Sequence, residues 1–266
     1  MDEQTRASMQ RMQTLEDEGR YDELLACLEG LYAQAEHAPA PARADYFMTM
    51  FQWKLLIEKY APAASALARA RDEQVRRLLG GEPYAGTAPW LEDHRQMFER
   101  VERFFLIVDM NETLGDPRAT HALFLQLEAQ EPDLTRRHAW RALPAIVETG
   151  DFVLAERYRG DPLKLLAEVN CNARSLTLFP PGRQAPRLAA ELMSLTREVR
   201  IAIAVLHGLD RPAEAYAVRD GLLRGLESEE LRMLAERELG EPGTISRRMA
   251  EHQMALEQAP GMTAGA

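Results

Sequence analysis

Apolar residues recur along most of the chain at intervals of three and four, the pattern of helices that bury one face and leave the other in water. Met9, Met12 and Leu15 carry it between Thr5 and Leu15, and Leu24, Leu25, Leu28 and Leu31 carry it between Tyr21 and Leu31, with Gly19-Arg20 breaking the two apart. After Pro39 and Pro41, the residues Tyr46, Phe47, Met50, Trp53, Leu56 and Ile57 form an apolar surface wide enough to be covered on two sides. The next helix runs from Pro62 to Leu79 and stops at Gly80-Gly81, because glycine takes the left-handed conformation beyond a helix end without steric cost. Pro89 then predicts the start of a long helix whose core stripe is Leu91, His94, Met97, Phe98, Val101, Phe104, Phe105 and Val108.

Leu114-Gly115-Asp116-Pro117 ends that helix and starts one carrying Leu123, Phe124 and Leu127, which Glu131-Pro132-Asp133 breaks. Thr135 to Val147, with Trp140, Leu143, Ile146 and Val147, leads into Gly150, and the helix holding Phe152, Ala155 and Tyr158 stops at Gly160-Asp161-Pro162. Leu163 to Leu178, Leu188 to His207, a segment started by Gly208 and Leu231 to Leu239 complete the helical reading. SLTLF, Ser175 to Phe179, alternates like a strand, but a lone strand leaves its hydrogen-bonding edges bare, so it reads as a helix end. The chain is expected to be all-α, one domain over residues 1–258 with sub-boundaries near 80–89 and 179–187, where GGEPYAGTAP and FPPGRQAP concentrate loop-forming residues, and a flexible tail over 259–266.

One set of offsets repeats. Gly150 is followed by Phe152, Ala155 and Tyr158; Gly19 by Tyr21 and Leu24; Gly208 by Ala213 and Tyr216; Gly115 by Phe124, Leu127 and Pro132. This arrangement resembles the tetratricopeptide (TPR) family, in which a glycine makes a tight turn between paired helices, an aromatic residue fills the space beside it and a small residue lets the helices approach. The resemblance touches second-helix starts between residues 15 and 240. It departs from the family in the first-helix tryptophan, leucine-glycine and tyrosine pattern, and in turn points at Gly19, Lys59, Gly115, Gly150 and Gly208 that do not keep a constant spacing of ~34 residues. The fold it implies is an irregular TPR-like antiparallel helical-hairpin solenoid, with a non-repeating helical bundle as the alternative. Its functional implication is a protein-binding scaffold, with the ligand often on the concave face.

Charge narrows the partner classes. With 32 basic and 42 acidic residues the formal net charge is −10, which repels phosphate backbones and anionic membranes, so neither nucleic acid nor a membrane is an expected partner. The longest apolar run, Phe104 to Val108, is far short of the ~20 residues a bilayer-spanning helix needs, and MDEQTRASMQ carries acids where a secretory signal needs basic residues and an apolar run. Cys27 and Cys171 belong to no C-x-x-C pair and read as buried reduced thiols, consistent with a cytoplasmic protein.

Candidate chemistry is sparse. His37, His94, His121, His138, His207 and His252 have no metal-ligand spacing, so neither a metal nor a cofactor is expected. The acids of LEDEGRYDE, Leu15 to Glu23, read as solvated helix ends, and Cys171 as part of a helix-end network. Arg137 and Arg141 share a helix face and make a candidate surface for an acidic partner, while Trp140 points elsewhere and is a candidate to pack beneath that surface; an intramolecular ion-pair face is the competing reading. Trp53 and Trp90 are further candidate interface anchors, with core packing as their alternative, because tryptophan and arginine dominate binding hot spots. The function expected is therefore a non-catalytic protein-binding scaffold or inhibitor, one form of which is a cytoplasmic immunity protein that occludes a secreted bacterial toxin. The alternatives are a chaperone or adaptor for a secretion substrate, and a helical-bundle enzyme.

Overall fold

The computed structural model describes residues 3–38, 43–87, 100–182 and 184–258. The described residues hold thirteen α-helices and no strand, so the chain is all-α; Tyr84 and Glu102 meet in an isolated antiparallel bridge. None of the described helices is long and apolar enough to cross a membrane. Backbone contacts gather the chain into two compact units, Met1–Ala145 and Ile146–Ala266. The division falls at neither expected sub-boundary. Thr87 N donates to Ala38 O at 3.0 Å and the His252 ring bonds Pro180 O at 2.9 Å, so each loop is tied into its own unit. The expected tail, 259–266, lies outside the described residues.

The first unit comprises α1 (Glu3–Asp17), α2 (Tyr21–His37), α3 (Arg43–Lys59), α4 (Pro62–Leu79), α5 (Arg103–Leu114), α6 (Pro117–Gln130) and most of α7 (Pro132–Glu148). Helix α2 packs on α1 and α3, and α3 packs also on α4 and α5. This explains the broad apolar surface of α3, which buries Tyr46, Met50, Trp53 and Leu56 while Phe47 and Phe51 stay exposed. The long helix expected from Pro89 does not run through to Val108. Residues 100–102 are non-helical and α5 begins only at Arg103, because Val101 O accepts from Ala85 N at 2.8 Å and Arg103 N donates to Pro83 O at 2.9 Å. Those bonds pin the chain to the 82–87 loop; residues 88–99 are outside the described set.

Beneath this junction lies a buried ionic network. Glu36, at the end of α2, accepts from Arg77 of α4 at 2.6 Å, from Arg103 of α5 at 3.0 Å and from the Tyr46 hydroxyl of α3, while Arg103 also donates to Gln74. Burial pushes the Glu36 carboxyl upward, but the Tyr46 hydroxyl and the Arg103 guanidinium outweigh it and hold Glu36 below its ordinary value. Arg103 has no exposed surface, so its charge depends on these partners.

The second unit contains α8 (Phe152–Tyr158), α9 (Leu166–Ala173), α10 (Arg187–Gly208), α11 (Pro212–Gly225), α12 (Glu229–Gly240) and α13 (Thr244–Gln258). Helix α10 touches all five others and buries Leu188, Leu192, Leu195, Val199, Ala202 and Val205 along one face. Helix α9 is shorter than the expected Leu163–Leu178: Asn172 O accepts from the amides of Ser175 and Leu176, closing its end, and SLTLF is neither helix nor strand.

The repeated offsets divide in two. Gly150 does take a left-handed φ of 83° beyond α7, Asp151 caps α8 by accepting from Leu154 N, and Ala155 is fully buried. Gly208 differs: it ends α10, and the left-handed turn residue there is Asp210, at φ 58°. Gly208 is small because the Phe152 ring lies on it; an added Cβ would sit 2.2 Å from that ring.

Gly208→Ala should therefore destabilise the fold by about 1–3 kcal/mol, overpacking outweighing the gain of up to about 1 kcal/mol in helix propensity. Asp210→Gly should be neutral or stabilising by up to about 1 kcal/mol, since glycine accepts the left-handed turn. Denaturant unfolding followed by circular dichroism separates the two, and a stabilised Gly208→Ala variant would remove the Phe152 contact. In the same assay Glu36→Gln should cost about 3–5 kcal/mol by leaving Arg103 buried with a neutral partner.

A candidate partner-binding face on the first unit

Helix α7 buries Leu134, Thr135, His138, Ala139, Ala142 and Leu143, which leaves Arg136, Arg137 and Trp140 on the outer side. Trp140 is 48% exposed, yet it is not loose. Its ring meets Phe105 edge-on at 5.5 Å, Phe105 meets His138 at 5.1 Å, and His138 stacks on buried Phe104 at 5.3 Å. Such an aromatic chain fixes the exposed ring at low entropic cost, as binding anchors require. Pro144, one turn further on, lacks the amide that would otherwise close on the Trp140 carbonyl.

The two arginines expected to act together do different things. Arg137 is exposed, and it makes no hydrogen bond or ion pair among the described residues. Arg141 is clamped: its guanidinium donates to Glu112 at 2.9 Å and pairs with Asp109, and its side chain is only 15% exposed. Of the expected basic pair, Arg141 follows the competing reading of an intramolecular bridge, while Arg137 has no ion-pair partner among the described residues. The reason is register, since Arg141 faces the acids of α5 while Arg137 lies a turn closer to the start of α7.

Trp53 is a second correction. It is 1% exposed, donates from Nε1 to Ala63 O at 3.0 Å and meets Tyr32 edge-on at 6.0 Å, so it is a core residue and no partner reaches it. Trp90 falls among residues 88–99 and lies outside the described residues. Cys171 is exposed, against the expected burial, and Cys27 is half-buried against the core of its unit. The acids of LEDEGRYDE are engaged locally: Glu16 with Lys59, Glu18 and Glu23 with Arg20, Asp22 with the Tyr60 hydroxyl. No group of three or more His, Cys, Asp or Glu residues suited to a metal ion occurs among the described residues.

Sequence reasoning missed the structure beside Arg137. The 82–87 loop, Arg77 of α4 and Arg100 ahead of α5 line a cleft of about 480 Å³ that also includes Glu82, Tyr84 and Thr87. The Arg100 guanidinium lies 5.6 Å above the Tyr84 ring. Burial and then Glu102 push the Tyr84 hydroxyl upward, with Arg137 and Arg100 opposing, which places Arg137 within electrostatic reach of the cleft. The available signal was the charge at apolar register: Glu36 follows Leu28 and Tyr32 at steps of four, and Arg103 precedes the apolar run Phe104 to Val108.

His138 ties the face to acidity. Burial first, and the Arg137 charge second, push it down to about 4, although Glu102 Oε2 lies 3.2 Å from Nδ1 and draws the other way. A histidine with a depressed folded value is neutral in both states above its unfolded value near 6.5; below that the unfolded chain takes up a proton the folded chain refuses. Stability is therefore lost as pH falls from about 6.5 to about 4, by at most about 3 kcal/mol from this group. His138→Phe should flatten that window relative to the parent protein in denaturant unfolding at pH 7, 5.5 and 4.5; identical slopes would show that His138 is protonated in the folded protein.

Compared with protein-family models, curated proteins and solved structures, the chain matches none, so the functional reading rests on the chemistry of this face.

Proposed function

We propose that the protein is a non-catalytic binding scaffold of TPR-like helical pairs that holds another protein against Arg137 and Trp140. The observation that carries this reading is the placing of an exposed arginine, without an ion-pair partner among the described residues, beside a half-exposed tryptophan whose ring is braced by Phe105, His138 and Phe104. Arg20, Arg76 and Arg211 are solvated arginines that do find a carboxylate. Arginine and tryptophan side by side on a rigid helix supply charge complementarity and desolvated area together. Of the groups considered for catalysis, His138 is stacked on Phe104 with its value pushed down by burial, and Glu16, Glu18 and Glu23 near Gly19 are ion-paired. Within the scaffold class, the proposal is an inhibitor that occludes its partner, of which an immunity protein against a secreted bacterial toxin is one form, with a chaperone for a secretion substrate as the competing role.

A photo-crosslinking amino acid at position 140, with position 216 of the second unit as control, tests the face in host cells. The expected result is a discrete adduct from 140 that is absent from 216 and is reduced at least tenfold by Arg137→Glu. Trp140→Ala should weaken binding of the identified partner by about 2 kcal/mol or more, roughly thirtyfold, with unchanged helicity and unfolding. Arg141→Glu should lower stability, by opposing Asp109 and Glu112. Unchanged adducts in a folded Arg137→Glu variant would remove this face, and assay of the partner's own activity within the complex separates occlusion from delivery.

A further inference from the structure

Helix α7 carries its charge unevenly along the outer side. Arg136 and Arg137 stand in its second turn, both exposed, and neither makes a hydrogen bond or ion pair among the described residues. They precede Trp140 by four and three positions, the spacing at which side chains on a helix are neighbours, and Trp140 is 48% exposed beside them. Asp133, one turn earlier, is also exposed and pairs with neither arginine. Past Trp140 the sign reverses. Arg141 is enclosed by Asp109 and Glu112, two carboxylates around one guanidinium, and both carboxylates stay about half-exposed. The ring of Trp140 thus has two open cations toward the start of α7 and a net negative cluster toward α5.

We propose that the protein partner docks here through a short acidic segment, with a carboxylate on Arg136 and Arg137 and an apolar side chain on the Trp140 ring. The proposal rests on the docking face described above and names the chemistry of what that face holds. Geometry sets the spacing: Arg136 and Trp140 are four residues apart, about 6 Å along a helix axis. Same-side residues of an extended chain are about 6.8 Å apart, so an acid and an apolar residue two positions from each other reach both. Charge sets the length. A nucleic acid strand stacked on Trp140 would run its phosphates onto Asp109 and Glu112, on a chain of formal charge −10, whereas a short segment ends its negative charge before them. A planar guanidinium takes a carboxylate through two parallel hydrogen bonds, so two adjacent arginines fix the acid as well as attract it. Arg136 is thereby assigned to the face together with Arg137.

The test uses the full chain labelled with fluorotryptophan, the Trp140 fluorine signal being assigned by its loss in Trp140→Phe. The probes are a peptide in which glutamate and leucine alternate with a serine between each, its counterpart with lysine for glutamate, and a thymidine oligonucleotide. At low salt the glutamate peptide should shift the Trp140 signal saturably at millimolar concentration, the lysine peptide should leave it in place, and added salt should weaken the response. Arg136→Glu should weaken the glutamate peptide at least tenfold with unchanged helicity and unfolding, and Arg136→Lys should keep part of the binding. Absence of a saturable shift, an equal response to the lysine peptide, a stronger response to the oligonucleotide, or unchanged affinity in a folded Arg136→Glu variant would each overturn the acidic segment. The docking face fails separately: an adduct from position 140 whose yield ignores Arg136→Glu would retain the face and reject the acidic segment, whereas a shift by the glutamate peptide with no adduct from 140 in host cells would retain the chemistry and reject the face.

Discussion

The first unit is organised around the need to neutralise one buried carboxylate. Glu36 sits where the apolar stripe of α2 leads into the core, and burying its charge alone would cost several kcal/mol. Arg77, Arg103 and Tyr46 come from three other helices to meet it, so α2, α3, α4 and α5 are held in one relative arrangement by a directional network and not by apolar packing alone. Apolar contacts tolerate small slides between helices. A guanidinium that must reach a particular oxygen does not, and this gives the end of α2 and the start of α5 a defined register.

That register determines what appears at the surface. Around Arg103 the chain fans out residue by residue: Arg100 crosses Tyr84 at the cleft, Glu102 approaches His138, Arg103 turns inward to Glu36, Phe104 stacks on His138, and Phe105 supports Trp140. Within six residues the chain thus serves the core, the cleft and the aromatic brace. A continuous helix through Pro89 would give residues 100–102 helical directions instead, and the pairing of Ala85 and Pro83 with Val101 and Arg103 is what prevents it.

The helical character was legible because periodicity reports burial directly: Leu24, Leu28 and Tyr32 on α2, and Leu192, Leu195 and Val199 on α10, are buried as their spacing demands. Turns read less reliably. Gly150 and Gly208 occupy matching offsets in the sequence, but one supplies a left-handed backbone and the other makes room for Phe152, and a letter string does not distinguish those two uses of a missing Cβ. The candidate face was legible in part. Arg137 is exposed as a helical wheel suggests, while the half-exposure of Trp140, expected to pack beneath, and the loss of Arg141 to Asp109 and Glu112 depend on the placement of α5, which no local pattern encodes. The cleft was hidden for the same reason, its walls coming from α4, the 82–87 loop and Arg100 ahead of α5.

Arg137 and Arg141 show how position on one helix turns the same side chain to different ends. For Arg141, two carboxylates from α5 offset the loss of water around a side chain that is 15% exposed, and the result is a brace between α5 and α7. For Arg137 no carboxylate is in place among the described residues, and its charge adds to burial in disfavouring protonation of His138, whose ring stacks on Phe104 and meets Phe105 edge-on. The charge on the outer side of α7 and the protonation of the imidazole beneath it are thus linked, with burial setting the larger part of the shift.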